Sequence, residues 1–278
     1  MTARAAVRAS SPMAKRTPRR LADFPYWLLA MALVGVLALW AITSNSDYSN
    51  IFRALSDGVL TTIWVTLVAF VLACVLGLGI ALMRTSGQPV LVQIATFYTE
   101  FVRGIPILVF LFYVAFVGAP ATIAFANWLT GPLQSLGWMP ALTVRSFDLT
   151  WRAIVALMVC YSSFLSEVFR AGIEAVPGDQ VEAASAFGFS RGHITRRIVA
   201  PQAFRIVLPP LGNDLVSMIK DSALVSSLGV QDITQLGKVY SAATFKFFET
   251  YNVVAFLYLT MTISLSLVVR WLERQLKR

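Results

Sequence analysis

Five polar residues fall within nine positions of one otherwise apolar stretch: Asn213, Asp214, Ser217, Lys220 and Asp221. On a helix, Asn213, Ser217 and Lys220 share a face, as do Asp214, Ser217 and Asp221. The two rows adjoin as one polar stripe centred on Ser217. The stripe offers an anion and a cation, the complement of a zwitterion. Lys220 and Asp221 are neighbours and project about 100° apart, so they do not simply neutralise each other. Four more charges form two echoing pairs, Glu100 with Arg103 and Glu167 with Arg170, each three residues apart. A charge at membrane depth costs about 2.5–3.5 kcal/mol on insertion scales, so such residues face protein or water. The two pairs are read as structural intrahelical ion pairs. The stripe either lines a wet path or pairs with other helices and holds a bundle together.

Other chemistries have little to work with. No G-x-x-x-x-G-K-[ST] phosphate loop occurs, so the chain does not hydrolyse ATP by that route. The lone histidine, His193, has only arginines near it in sequence, so a multi-histidine metal site is excluded and no nucleophile–base set stands out. The two cysteines, Cys74 and Cys160, lie in apolar stretches and read as packing residues. No catalytic residue and no metal ligand is assigned.

The elements that must position these residues are membrane helices. Of 278 residues, 57% are hydrophobic and 13% charged, where a soluble domain is nearer a quarter charged. Mean hydropathy is +0.70. The net charge of +9 is concentrated at the ends of apolar runs, as the positive-inside rule requires, which argues against a nucleic-acid partner. Residues 1–23 read as a disordered basic cytoplasmic tail and 24–46 as a retained transmembrane helix; a cleaved signal peptide is the rival, without a convincing small-residue cleavage site. The predicted domain runs over 58–270, with helices at about 58–83, 91–117, 151–175, 204–228 and 251–269. Residues 44–57 read as an outer connector, 118–150 as an outer segment with a short interfacial helix over 121–129, and 271–278 as a basic cytoplasmic tail. A further spanning helix within 118–150 is the alternative. Six helices with both termini cytoplasmic satisfy the distribution of cations.

Between the third and fourth helices of that domain lies a different text, residues 176–203. Pro177 and Gly178 break the preceding helix. Asp179 and Glu182 stand at capping-box spacing, Gly188 sits where a helix stop wants φ > 0, Ser190 can cap a second short helix, and Pro201 ends it. The local physics gives a helix–glycine–helix elbow outside the bilayer.

The elbow carries a resemblance. Glu182-Ala183-Ala184, then Gly188, then Ile198 and Pro201 resemble the EAA loop of ABC importer permeases; Ala200 departs from the usual I-x-L-P ending. Glu100-Phe101-Val102-Arg103-Gly104-Ile105-Pro106 is similar to the E-x-x-R-G-T-P signature of that family's polar amino acid branch, with Ile105 in the threonine position. Glu167 to Ile173 before the loop, and Pro201 to Arg205 and Leu208 to Asn213 after it, resemble the same branch.

The resemblance implies an all-α, polytopic membrane protein: a type I ABC importer permease bundle with a five-helix core plus one N-terminal helix. It implies a transport subunit, not an enzyme, with Glu182, Ala183, Ala184, Gly188, Ile198 and Pro201 as the ATPase-coupling loop. It also implies partners: an ABC ATPase that holds ATP and Mg, a second permease, identical or homologous, an extracytoplasmic binding protein, and a polar amino acid. No cofactor is expected on this chain. The bacterial inner membrane is the expected location. An ion-coupled secondary amino acid transporter is the alternative, since intramembrane carboxylates can relay protons.

Overall fold

The computed structural model describes residues 26–276, and every regular element among them is helical. The predicted basic tail, 1–23, and the last two residues of the chain lie outside the described residues. In chain order the helices are α1 (Tyr26–Ser44), α2 (Ser46–Thr85), α3 (Pro89–Arg103), α4 (Ile107–Tyr113), α5 (Ala119–Ser135), α6 (Leu149–Glu174), α7 (Gly178–Ala186), α8 (Arg191–Ile194), α9 (Ala200–Asp221), α10 (Ile233–Thr244) and α11 (Phe247–Leu276). Helical stretches at Ser46–Thr85, Ile107–Ser135, Leu149–Glu174 and Phe247–Gln275 are long and apolar enough to cross a membrane. α1 contributes a shorter apolar run, Leu29–Ser44.

The spine is α2 against α6. Val65, Ala69 and Ala73 meet Ile154, Leu157, Tyr161 and Leu165, with Met218 of α9 closing the cluster. Small residues let the backbones approach: a Cβ on Gly77 would stand 3.0 Å from the Ser162 carbonyl oxygen. α2 starts twelve residues earlier than the predicted Gly58, so the expected outer connector is helix. Asn45 caps it, accepting from the Asp47 N–H at 2.8 Å. Ile51 and Leu55 recur at helical spacing and are buried with Ile233, Val253 and Leu257 of α10 and α11. At about 60 Å, α2 is twice the thickness of a hydrocarbon core, so its first turns project beyond it.

The expected helix over 91–117 is two helices. Gly104 and Pro106 break it, and α3, 15 residues or about 22 Å, is too short to span. The stretch long and apolar enough to cross is instead α4 and α5 together, joined by a π turn at Val114–Gly118. This corrects the short interfacial helix expected at 121–129. In the π turn the Ala119 N–H reaches back five residues to Val114. That widened turn precedes Pro120, which has no N–H to donate, and the helix passes through where a break was expected. Pro132 is also inside α5.

α6 falls at Leu149–Glu174, close to the predicted 151–175, and Asp148 caps it by accepting from the Thr150 N–H at 3.0 Å. α9 runs unbroken through Pro209 and Pro210, although a proline inside a helix removes an N–H and ordinarily kinks it. Tight packing holds it there: a Cβ on Gly212 would lie 2.4 Å from Val269 of α11. The expected end at 228 is a 3-10 turn, Ser222–Leu228, closed by Gly229 at φ +86°. α10 lies where only a connection was expected; Asp232 caps it, accepting from the Gln235 N–H at 2.8 Å. α11 continues to Leu276, so most of the expected C-terminal tail is helix.

Candidate functional site

The elbow over 176–203 is present, with two corrections. Pro177, not Asp179, is the N-cap of α7, and Asp179 sits in the first turn, where the helix dipole favours a carboxylate. α7 closes in a Schellman turn: the Gly188 N–H donates to Ser185 and the Phe189 N–H to Ala184, at 3.0 and 3.2 Å. Gly188 has φ +80°, as its place in the sequence requires. Ser190 caps α8 through the His193 N–H at 3.4 Å. The second correction is Pro201. It does not end the second short helix, because a π turn at Thr195–Val199 carries α8 directly into α9. The Ala200 N–H bonds to Thr195, five residues back, and Pro201, which has no N–H to donate, follows directly on that widened turn in the first turn of α9. Ala184 and Ile194 are buried inside the elbow, whereas Glu182, Ala183, Gly188 and Pro201 are exposed and Ile198 is half-buried. Gln202 donates to Gln180 at 2.7 Å and ties α9 back to α7.

At the base of the elbow the charged residues meet in a different pattern from the expected one. Glu167 is the hub. It pairs with Arg84 from the end of α2, with Arg170 at 2.8 Å, and more loosely with Arg103 from the end of α3 at 3.7 Å. Arg170 also binds Glu174 at 2.6 Å, and Arg103 lies 5.3 Å over the Phe164 ring. The Glu167–Arg170 pair is thus intrahelical as expected. The Glu100–Arg103 pair is not formed: Arg103 turns to Glu167, and Glu100 is exposed and makes no ion pair among the described residues. Arg84, in the last turn of α2, is the member that local spacing could not supply.

The stripe on α9 divides. Asp221 accepts a hydrogen bond from the Tyr161 hydroxyl of α6 at 2.6 Å. Asp214, two turns away on the same side, has a buried carboxylate oxygen with no hydrogen-bond partner among the described residues. Ser217 is half-buried, while Asn213 and Lys220 are exposed on this single chain. Lys220 makes no ion pair among the described residues, so the stripe keeps an unpaired cation beside one carboxylate, Asp221, that Tyr161 holds. Tyr161 was missed; its signal is a hydroxyl on the most buried face of α6, which must find a partner.

At the end of the bundle away from the elbow, Arg152 is buried and donates to the backbone carbonyls of Phe147 at 2.7 Å and Ala115 at 3.3 Å, and also to Val144. It pins the 144–147 loop and the π turn onto α6. Cys74 and Cys160 are free. Among the described residues no His, Cys, Asp and Glu cluster could hold a metal ion.

The chain is similar to known proteins over most of its length. Residues 73–278 match the family model described as "Binding-protein-dependent transport system inner membrane component". The probable amino-acid permease protein YxeN of Bacillus subtilis (strain 168) is 32% identical over 227 residues, covering 82% of this chain and 93% of that protein. The glutamine transport system permease protein GlnP of Escherichia coli (strain K12) is 30% identical over 234 residues, covering 83% of this chain and 98% of that protein. Among solved structures, a crystal structure of an amino acid ABC transporter with histidines superposes with a TM-score of 0.67 at 30% identity, covering 84% of this chain and 98% of that one.

Proposed function

The chain belongs to the family of binding-protein-dependent transport system inner membrane components, the permease subunits of ABC importers, and from that membership we propose that it forms the path for a polar amino acid and is driven by a separate ATPase. The observation that supports this most directly is the elbow. A helix–glycine–helix unit, its second half continuous with α9 through a π turn, joins α6 to α9. A secondary carrier has no use for such a unit. The relatives named for amino-acid and glutamine transport support the substrate class.

The geometry supports a lever. A Cβ on Gly172 of α6 would lie 2.4 Å from Val207 of α9, so the two helices are in close contact just above the elbow. A push on the elbow therefore moves α6 and α9 together, and these two helices carry Tyr161 and Asp221. The Glu167 hub ties the same base to α2 and α3. ATP and Mg bind the partner ATPase and supply the work. Two permeases, identical or homologous, would face each other across the exposed side of α9, and an extracytoplasmic binding protein would deliver the amino acid. Asn213, Asp214, Ser217, Lys220 and Asp221 are the candidate path residues. The proposed location is the bacterial inner membrane, with both termini and the elbow in the cytoplasm.

Reconstitution tests this. Uptake should require the ATPase, the binding protein and ATP, and should be indifferent to a proton gradient. Uptake by this chain alone, driven by a proton gradient, would instead establish the ion-coupled carrier.

A further inference from the structure

α1 packs chiefly on α2 and leaves a groove of about 450 Å³ between itself and α11. α1 lies before the family-matched stretch, residues 73–278, so its seating has to be explained from this chain. Leu37, Ala38 and Ala41 line one wall of the groove, and Ala255, Phe256 and Leu259 the other. Alanines on facing membrane helices ordinarily let the backbones meet. Here Ala38, Ala41 and Ala255 hollow out a slot instead. α1 is apolar on its other faces as well, with Leu29, Leu33, Val36 and Leu39 exposed, as befits a helix among lipid tails. The slot therefore opens into hydrocarbon, not water.

Two polar side chains line the groove, Tyr48 and Asn252, and both stand at its end away from the elbow. The Asn252 amide donates to the Tyr48 hydroxyl at 3.4 Å, and the proton of that hydroxyl has no acceptor among the described residues. Beside this mouth Lys246 pairs with Asp47, the neighbour of Tyr48, at 2.5 Å. Glu249 stands close by in the first turn of α11. One cation and two carboxylates leave the mouth with an excess of negative charge, and Arg53 and Asp57, farther along α2, offset each other. Trp40, Phe248 and Tyr251 are exposed around the same end, as interfacial aromatics are at headgroup level.

We propose that this groove is a binding site for one zwitterionic aminophospholipid of the leaflet away from the elbow. The order of chemistry along the groove repeats the order along such a lipid. The apolar slot takes an acyl chain. The Tyr48 hydroxyl and the Asn252 amide donate to ester or phosphate oxygens. At the rim Lys246 faces the phosphate, and Asp47 and Glu249 face the ammonium. An anionic headgroup would meet the excess carboxylate and be disfavoured. A protein helix would fill the slot but leave the donors at its mouth without acceptors. The bound lipid completes the seat of α1 against α11.

The test is native mass spectrometry of the full-length permease complex, delipidated in detergent and titrated with phosphatidylethanolamine or phosphatidylglycerol. The tightest lipid should be phosphatidylethanolamine, preferred about fivefold, the worth of one net charge at a membrane surface. Ala41→Phe fills the slot and should lower that affinity about tenfold. Tyr48→Phe removes one donor and should lower it about fivefold with unchanged melting. Leu39→Phe, outside the groove, should change it less than about twofold. Wild-type affinity in Tyr48→Phe and in a folded Ala41→Phe would overturn the proposal. So would a preference for phosphatidylglycerol, or no lipid retained by the wild type. If Ala41→Phe does not fold, Tyr48→Phe decides alone. In a parallel arm, a benzophenone amino acid replaces Leu37 in native membranes and is irradiated. Cross-linking to lipid is expected; cross-linking to a second permease would put a protein helix in the slot and overturn the proposal.

Discussion

Two glycines separate two kinds of cost. At Gly188 a Cβ would meet nothing within 4 Å, but φ is +80°, so a side chain pays in backbone strain alone. A β-branched residue there should cost about 1 kcal/mol or more, spent in the elbow turn. Gly188→Val is therefore expected to leave insertion and thermal stability of the bundle close to wild type while ATPase association or coupled uptake falls. Normal association with normal uptake would show that the turn does not matter. At Gly58 the backbone is ordinary helix, but a Cβ would stand 2.6 Å from the Ile233 nitrogen, which cannot move aside without shifting α10. Gly58→Ala should lower thermal stability by about 1–3 kcal/mol, as overpacking does, with the elbow intact. Of the stripe, Asp221 and Lys220 invite the same separation. Asp221→Asn keeps a partner for Tyr161, and Lys220→Gln removes an exposed cation, so neither should prevent assembly. Uptake measured on assembled complexes should fall for both. Unchanged rate and substrate preference would reduce the stripe to a structural role.

Between elements, the Glu167 hub holds helix ends that the sequence separates by more than eighty residues. Glu167→Gln leaves Arg84, whose side chain is 16% exposed, without its carboxylate. A fully buried broken pair costs about 3–5 kcal/mol, and water reaches this one, so about 1–3 kcal/mol is expected in thermal unfolding. Arg103→Gln should cost under about 1 kcal/mol, since that contact is long and its side chain is 41% exposed. The Asp148 cap makes a pH prediction. Hydrogen bonds from Thr150 hold its carboxyl below the ordinary carboxylate value. A depressed folded pKa means that its contribution is present above the ordinary value and is lost as pH falls through the lower folded one. Asp148→Ala should cost about 1 kcal/mol near neutral pH, while Asp148→Asn, itself a good cap, should keep the stability and lose its acid sensitivity. The sequence made the elbow, α6 and the leader helix legible because each is marked locally, by glycine and proline or by an unbroken apolar run. Prolines misled where a π turn absorbs them, at Pro120 and Pro201. Charge spacing misled at Arg103, because its real partner arrives from α6, and no local rule reports that.

For the whole molecule, the open question is which end faces the cytoplasm, and the side-chain contacts sharpen what charge counting began. The elbow end presents Arg84, Arg103, Arg170, Arg191, Arg196 and Arg197. At the other end two cations are already committed: Arg152 to backbone carbonyls, and exposed Lys246 to Asp47 at 2.5 Å, with burial of the first and the ion pair of the second reducing their pull on topology. Without an ion pair among the described residues stand Arg191, Arg196 and Arg197 at the elbow end, against Arg53 and Arg145 at the other, so positive charge still predominates at the elbow end, which the positive-inside rule assigns to the cytoplasm. The native cysteines leave a clean background for a test, since Cys160 is buried and Cys74 half-buried within the bundle. Ser86 follows the last turn of α2 at the elbow end, and Ser135 ends α5 at the opposite end; both are exposed. In intact cells a membrane-impermeant maleimide should label Ser135→Cys and spare Ser86→Cys until the inner membrane is permeabilised. The reverse pattern would place the elbow outside, beyond reach of any cytoplasmic ATPase, and the coupling mechanism would fall with it.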